Sequence, residues 1–126
     1  MPSIIKLEGL AGARFAAALE LLREGGGFSF EGVVFRFDAP GELLCIVESS
    51  WSPERVSRST ATEDLDFAAA VLERVQSASP EFAALTQSAT PRFELIDDYG
   101  GGSVLLASRQ GNRLTMMTRG GPEDAG

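Results

Sequence analysis

The apolar residues of this chain change their spacing at the glycine run of residues 25–27, and this change limits what the chain can fold into. Before the run, Phe15, Leu19 and Leu22 recur three and four residues apart, which predicts an amphipathic helix over residues 10–24. After the run the apolar residues alternate with a period of two, which is typical of a strand. Glycine supplies the left-handed C-cap that ends a helix. The change of spacing at this run therefore predicts a chain that combines helix and sheet.

The strands after the glycine run are predicted from this alternation. The apolar parity reverses at the Glu-Gly pair of residues 31–32, and a β-bulge there would keep Phe28 on the same face as Phe35. Residues 38–41 are typical of a turn and indicate a hairpin, in which a four-residue loop would place Phe35 opposite Leu44. Both faces of the hairpin are apolar, so we expect helices on one face and further structure or a partner on the other.

The rest of the chain contains a long helical segment and further strands. Residues 60–63, Thr-Ala-Thr-Glu, match a capping box and predict a helix that runs to about Ser77, its apolar stripe broadened by Phe67. The other predicted elements are a strand over 3–7, a short helix over 80–87 and strands over 92–99, 103–109 and 114–117. We expect one two-layer α+β domain over residues 1–118, with a mainly antiparallel sheet of about five strands packed with two main helices, and a flexible tail over residues 119–126.

The charge of the chain bears on its partners and its location. Its 126 residues include 11 basic and 18 acidic side chains, which give a formal charge of −7. A phosphate backbone would be repelled, so nucleic acid is not an expected partner. No apolar stretch approaches the ~20 residues that cross a bilayer, and the first residues lack the basic and apolar regions of a signal peptide. We therefore expect a cytoplasmic protein without membrane association, and the oligomeric state stays open.

The chain contains no histidine and a single cysteine, Cys45. The missing histidine removes the most common metal ligand and proton carrier, and with them the serine and cysteine hydrolase arrangements. One cysteine cannot form an internal disulfide or a cysteine-rich zinc site. We therefore expect no metal and no cofactor, while carboxylate or arginine sites stay open. Cys45 lies within an apolar run and is predicted to be a buried hydrophobe rather than a reactive thiol.

Asp97, Asp98 and Tyr99 precede a second glycine run, at 100–102, and are candidate site residues. Adjacent strand residues point to opposite faces, so the two carboxylates cannot share a proton or a substrate atom. Solvated polarity at a hairpin end accounts for them, and a contact surface or a cation site are the alternatives. The glycines lack the lysine and hydroxyl residue of a phosphate loop, so they do not indicate nucleotide binding.

Trp51 lies in a polar segment that we interpret as a surface loop. A tryptophan there either folds back over the sheet edge as a lid or stands out as an interaction anchor. Glu48, Glu54 and Arg55 lie close to it in sequence, and aromatic residues with arginine are typical of binding hot spots. Together with residues 97–99, these residues form the predicted partner-binding set.

About half of the chain resembles a known family. The residues that carry the resemblance are Trp51, the run Thr-x-x-Glu-Asp-Leu-Asp-Phe-x-x-x-Val-Leu from Thr60 to Leu72, Phe82-x-x-Leu85, Pro91-x-Phe93-Glu94-Leu95 and Gly102-x-Val104-x-Leu106. This spacing is similar to that of small acidic immunity proteins encoded beside polymorphic bacterial toxins, the wall-associated toxin group among them. The resemblance implies a cytoplasmic, non-enzymatic protein that binds and blocks a toxin domain, and it assigns no role to an individual residue.

Three functions are compatible with these observations. The leading prediction is a toxin-neutralising or similar inhibitory module that binds a basic protein, because opposite charges speed encounter. Its expected contact residues are the exposed carboxylates Glu48, Glu54, Asp97 and Asp98, with Trp51 as an anchor. One alternative is a dedicated chaperone for a secreted effector, which should dimerise. The other is a small enzyme, which requires an enclosed polar pocket with at least two convergent titratable groups.

Overall fold

The computed structural model describes residues 3–39, 41–49, 57–97 and 104–116, which form one seven-stranded sheet with three helices. The strands are β1 (Ile4–Leu7), β2 (Gly27–Phe30), β3 (Val33–Ala39), β4 (Glu42–Ser49), β5 (Thr90–Asp97), β6 (Val104–Gln110) and β7 (Arg113–Met116). The helices are α1 (Gly12–Arg23), α2 (Arg58–Ala78) and α3 (Pro80–Thr86). The α+β prediction is confirmed, but these residues form seven strands rather than about five. The helices are the two predicted main helices and the short helix predicted over 80–87, which is α3.

The strands lie in the sheet in the order in which they occur in the chain. Neighbouring strands are antiparallel except for β1 with β2 and β4 with β5, which are parallel pairs connected through helices. β1 and β4 run in the same direction, and each crossover leads to the next strand on the same side. Because such crossovers are almost always right-handed, the helices of both units lie on one face of the sheet. In the part of the chain that the structure describes, the topology therefore leaves the other face without helices.

The core lies between the helices and the face of the sheet that they cover. Phe28 lies directly across from Phe35, Phe35 from Cys45, and Cys45 from Phe93. The rings of Phe28, Phe35 and Phe82 have centroids 5.4 to 6.0 Å apart. α1 and α2 add the buried residues Phe15, Ala18, Leu19, Leu22, Ala61, Leu65, Ala68, Val71, Leu72 and Val75. Each fully buried large side chain stabilises the fold by roughly 1.5–3 kcal/mol, so this aromatic cluster joins both layers firmly.

The glycine run at 25–27 ends α1 and begins β2, as predicted. Gly25 has a φ of 100°, and the N–H of Gly26 donates to the carbonyl oxygen of Leu21 at 2.9 Å. This is the arrangement of a Schellman C-cap. Gly27 lies outside the left-handed region, but a Cβ at this position would lie 2.2 Å from the carbonyl oxygen of Phe35. The last glycine is therefore required by the close approach of β3.

β2 and β3 are separate strands joined by a tight turn, so the predicted bulge within one strand is wrong. Glu31 and Gly32 have φ values of 54° and 84°, and Phe30 pairs directly with Val33. Two central residues with positive φ are what a type I′ hairpin turn requires. A turn of two residues restores the parity of the apolar positions just as a bulge does. The expected placement of the apolar residues of both strands on one face is therefore confirmed.

The β3–β4 hairpin is one residue out of the predicted register. Phe35 pairs with Cys45 rather than with Leu44. The reason is that Ala39 already pairs with Glu42, so the loop has two residues rather than four, and the register shifts next to Ala39. A shift of one residue exchanges the faces of a strand. The odd-numbered residues of β4 thus face the helices and the even-numbered residues face away.

α2 begins three residues earlier than predicted, because its N-cap is Ser57 rather than Thr60. The N–H of Thr60 donates to Oγ of Ser57 at 3.2 Å, and the N–H of Ser57 donates to Oγ1 of Thr60 at 2.9 Å. Two backbone N–H groups that the helix leaves unpaired are thereby satisfied. The capping box is therefore present, but Thr60 occupies its N3 position rather than the predicted N-cap position.

Two side chains of α2 bind residues of the sheet. Near the middle of the helix, Asp66 accepts a hydrogen bond from Arg109 of β6 at 2.6 Å. Near its end, Arg74 donates through both terminal nitrogens to Glu31 of the β2–β3 turn, at 2.6 Å each, and lies over the ring of Phe30 at 5.7 Å. These contacts fix which side of α2 points outward.

Candidate interaction surfaces

The side of the sheet that carries no helices, called the helix-free face, has an apolar centre. Val34 lies directly across from Ile46, and Ile96 lies across from Leu105; all four are partly exposed. Leu44, next to them on β4, is only 4% exposed. The prediction that helices cover one apolar face is confirmed. A cover for the second face stays a prediction.

Charged residues beside this apolar centre are paired with one another. Arg36 and Arg92 lie directly across from Leu44 on its two sides, where their aliphatic stems shield it. Arg92 donates to Glu42 at 2.5 Å and lies 3.5 Å from Glu94. The hydrogen bond from Arg92 lowers the pKa of Glu42, and the same bond raises the pKa of Arg92. Paired charges thus border the apolar centre around Leu44, whereas Glu48, directly across from Ile96, forms no ion pair with the other described residues.

The negative charge of the chain is unevenly distributed. Among the described residues, the helix-free face carries four basic and four acidic side chains, assigned by strand register and, for Asp38, by its ion pair with Arg36. They are Lys6, Arg36, Arg92 and Arg113 against Asp38, Glu42, Glu48 and Glu94. The face is therefore balanced. Because the whole chain has a charge of −7, its surplus of acidic residues lies entirely outside this set.

The outward side of α2 carries an exposed aromatic residue next to a groove. Phe67 is 46% exposed. Ala70 and Arg74 follow it at helical spacing and contribute to a groove of about 560 Å³ that also includes Leu10. We call Phe67 and the groove residues Leu10, Ala70, Glu73, Arg74, Ser77 and Ala78 the α2 surface. This surface combines an apolar anchor with a shallow, partly apolar floor.

Carboxylates flank the α2 surface. Glu63 and Asp64 lie four and three residues before Phe67, so both are its neighbours on the helix. Burial and the negative charge of Glu63 raise the pKa of Asp64. In the part of the chain that the structure describes, Glu63, Asp64 and Glu73 form no ion pair. A cation brought to this surface would relieve the repulsion that raises the pKa of Asp64.

The exposure of Phe67 contradicts the prediction that it broadens the inward stripe of α2. Leu65 is fully buried and defines the inward direction. Phe67 follows it by two residues, which is about 200° around a helix and therefore the opposite side. The spacing between Leu65 and Phe67 indicated that Phe67 faces outward, but its apolar side chain favoured the wrong interpretation.

Two other depressions on the described surface have no carboxylate in their lining. One of about 560 Å³ lies beside Arg109, whose guanidinium is 5.5 Å from the centroid of the Phe93 ring and which is already bound to Asp66. Another, of about 230 Å³ on the helix-free face, is lined by Arg92, Ser108, Gln110, Arg113 and Thr115. Neither contains the pair of an acid and a base that general acid–base catalysis uses. The enzyme alternative gains no support from these two depressions.

The predicted site residues divide into three groups. Glu48 is exposed on the helix-free face, directly across from Ile96, so its predicted exposure is confirmed. Asp97 is fully buried on the helix-covered face, so its predicted role as an exposed carboxylate is wrong. The register pairs Ser49 with Asp97, which places the ends of β4 and β5 at the same edge. The remaining predicted residues, Trp51, Glu54, Arg55, Asp98 and Tyr99, lie outside the described residues.

Cys45 is buried in the core, as predicted. Burial raises the pKa of its thiol to about 12, so the nucleophilic thiolate is scarce at neutral pH. Among the described residues there is no group of three or more cysteine, aspartate or glutamate side chains that could hold a metal ion. Within the same ranges, no helix is long and apolar enough to cross a membrane.

No protein family, curated protein or solved structure matches this chain. The resemblance to immunity proteins therefore stays a prediction.

Proposed function

We propose that this protein is a non-enzymatic protein-binding module that holds a basic partner protein on the α2 surface. The observation that carries the proposal is the exposure of Phe67 among carboxylates that form no ion pair with any other described residue. The resemblance adds the class of partner, a bacterial toxin domain, and with it the function of an immunity protein. A nuclease domain whose substrate cleft is basic would suit such a surface electrostatically.

Phe67 supplies the apolar part of the proposed interface. Complete burial of a phenylalanine side chain contributes about 1.5–3 kcal/mol, so covering its exposed 46% contributes about 1 kcal/mol. This corresponds to about a fivefold change in affinity. Aromatic side chains are among the residues that dominate binding energies when a partner closes over them. The neighbouring groove would take an apolar side chain of the partner beside this ring.

Glu63, Asp64 and Glu73 supply the electrostatic part. They border Phe67 and the groove, and within the described residues they are not neutralised by ion pairs. A basic partner would both accelerate encounter and lower the pKa of Asp64, because a nearby cation favours the carboxylate. Acidic or neutral partners would gain neither effect. The complex should therefore weaken as ionic strength rises.

The proposal is tested by recovering partners from the native cells with matched surface variants. Tagged wild-type protein, Phe67→Ala, Glu63→Lys and the control Ile4→Ala are cross-linked in cells, purified and analysed by mass spectrometry. Ile4 suits the control because it is 48% exposed, nearly as much as Phe67, but the strand register places it on the helix-free face and therefore away from the α2 surface. We expect one basic protein to be recovered with wild type and Ile4→Ala and to be depleted about fivefold or more with the other two.

The outcome that contradicts the proposal is the recovery of no protein whose yield depends on Phe67 or Glu63. When a partner is found, its activity in the presence of this protein separates the functions. An immunity protein abolishes the toxicity of the partner in a growth assay, and Phe67→Ala restores it. An unaffected activity together with improved secretion of the partner would instead indicate the chaperone alternative.

A further inference from the structure

We infer that two copies of this chain associate through their helix-free faces, so that two sheets pack face to face with the helices outside. The topology motivates this, because both crossovers place their helices on the opposite face. The apolar residues of the helix-free face lie on β3 to β6, with Glu94 directly across from Ile46 and Glu48 directly across from Ile96. Val34 and Ile46 form one directly paired row, and Ile96 and Leu105 form the next.

Charge selects a second copy as the occupant. Two molecules with a charge of −7 each repel one another, and the repulsion is strongest where the unpaired carboxylates of α2 would meet. The helix-free face carries equal numbers of basic and acidic residues, so two such faces meet without net repulsion. A strongly basic partner, by contrast, would gain nothing from a balanced face.

The charged residues near the centre of this face are arranged so that they tolerate burial. Arg92 is bound to Glu42 and lies near Glu94, and Arg36 lies 3.7 Å from Asp38. Buried charges that retain their partners are tolerated far better than single buried charges. Lys6 and Arg113 lie on the two outer strands, where an interface leaves side chains at its wet rim. Glu48 lies directly across from Ile96, so its carboxylate has to stay solvated at the end of β4 when the apolar residues are covered.

The area of the face is that of a stable dimer. With strands ~4.8 Å apart and a rise of ~3.3 Å per residue, the seven strands cover roughly 650 Å² in projection, or roughly 1,300 Å² for two copies. Specific interfaces bury roughly 1,200–2,000 Å² in total. Two sheets with twisted strands pack about 10 Å apart in this way in β-sandwiches.

The test is the mass of the purified full chain in solution, measured by sedimentation equilibrium from about 1 μM to about 1 mM. We expect wild-type protein to reach twice 13.4 kDa within this range. The variants Ile46→Lys and Ile96→Lys place a charge in the apolar centre, next to Glu94 and Glu48 respectively, which can pair with it in the monomer. Both variants should raise the dissociation constant of the dimer at least tenfold. Circular dichroism checks that each variant is folded.

Phe67→Lys is the matched control, since it places the same charge on the α2 surface and should leave the dimer intact. A wild-type protein of 13.4 kDa throughout the range overturns the inference. A dimer that is weakened by neither Ile46→Lys nor Ile96→Lys also overturns the inference, because it must then form through another surface. The two proposals use opposite sides of the molecule, so the partner experiment with Phe67 can fail while this one succeeds, and the reverse.

Discussion

Gly27→Ala tests the close packing of β2 against β3. Gly27 begins β2 and lies between β1 and β3: its N–H donates to the carbonyl oxygen of Ser3 at 2.9 Å, and it pairs with Arg36 of β3. A Cβ built on Gly27 would lie 2.2 Å from the carbonyl oxygen of Phe35 and 2.9 Å from the Cβ of Arg36. Real Cβ contacts do not fall below 3.0 Å, so the backbone of β3 would have to move by about 0.8 Å.

The expected loss follows from what has to move. Overpacking in a well-packed region costs about 1–3 kcal/mol, and the upper end applies because the colliding atoms belong to a paired strand rather than to a flexible side chain. Gly27 does not occupy the left-handed region, so the change adds no conformational strain of its own. We therefore expect Gly27→Ala to lower the free energy of unfolding by about 3 kcal/mol.

Urea unfolding followed by circular dichroism measures this difference, and Gly9→Ala is the control. No atom lies within 4 Å of a Cβ at Gly9, so its replacement should change the stability by less than about 0.5 kcal/mol or raise it slightly. If the free energy of unfolding falls with urea concentration at the same rate in both variants, both unfold from the same compact state. If Gly27→Ala is as stable as Gly9→Ala, β3 does not approach β2 as described and the reasoning is refuted.

Further predictions concern the buried thiol, a charged pair and a helix cap. Cys45 should react with a thiol reagent at pH 8 no faster than the protein unfolds, since it is buried and its thiol pKa is about 12; rapid labelling of the folded protein would contradict its placement. Arg92 lowers the pKa of Glu42 below its usual 4.5, so the pair stabilises the fold above pH 4.5 and the contribution is lost as the pH falls through the lowered pKa. Glu42→Gln should therefore lose less thermal stability than wild type as the pH falls below about 4.5. The same pH dependence in variant and wild type would show that the pair does not contribute to stability. Ser57→Ala should lower the free energy of unfolding by about 1 kcal/mol through loss of the capping box, whereas Ser57→Asp, which can still accept the hydrogen bond, should retain most of it.

Local patterns predicted the elements of this fold better than their pairing. The spacing of Phe15, Leu19 and Leu22 and the glycines after them fixed α1 and its end, because both depend on neighbouring residues. The register of the β3–β4 hairpin depends instead on whether the turn uses two or four residues, and turn chemistry at 38–41 suits both. A single residue of difference exchanged the faces of β4, so the sequence indicated two apolar faces but assigned Leu44 and Cys45 to the wrong ones.

The candidate surfaces were predictable only in part, for a similar reason. Asp97 shares its parity with Phe93 and Leu95, so its burial was readable from the alternation of β5, but its position before a glycine run suggested an exposed tip. Phe67 was assigned inward on hydrophobicity although its helical angle pointed outward. No local pattern could indicate that both crossovers place their helices on the same face, since this depends on the strand order across the whole sheet.

Salt should affect the two proposed interactions in opposite directions, which gives a test that needs no substitution. The partner complex depends on attraction between the carboxylates around Phe67 and a basic surface, so raising the salt from about 50 mM to about 500 mM should weaken it. The dimer joins balanced faces of molecules that repel one another overall, so the same change should leave it intact or strengthen it. Sedimentation of the protein alone and of its complex, over one salt series, measures both. A dimer that dissociates as salt rises would mean that unpaired charges hold it together, and the apolar centre around Ile46 would then not be its basis.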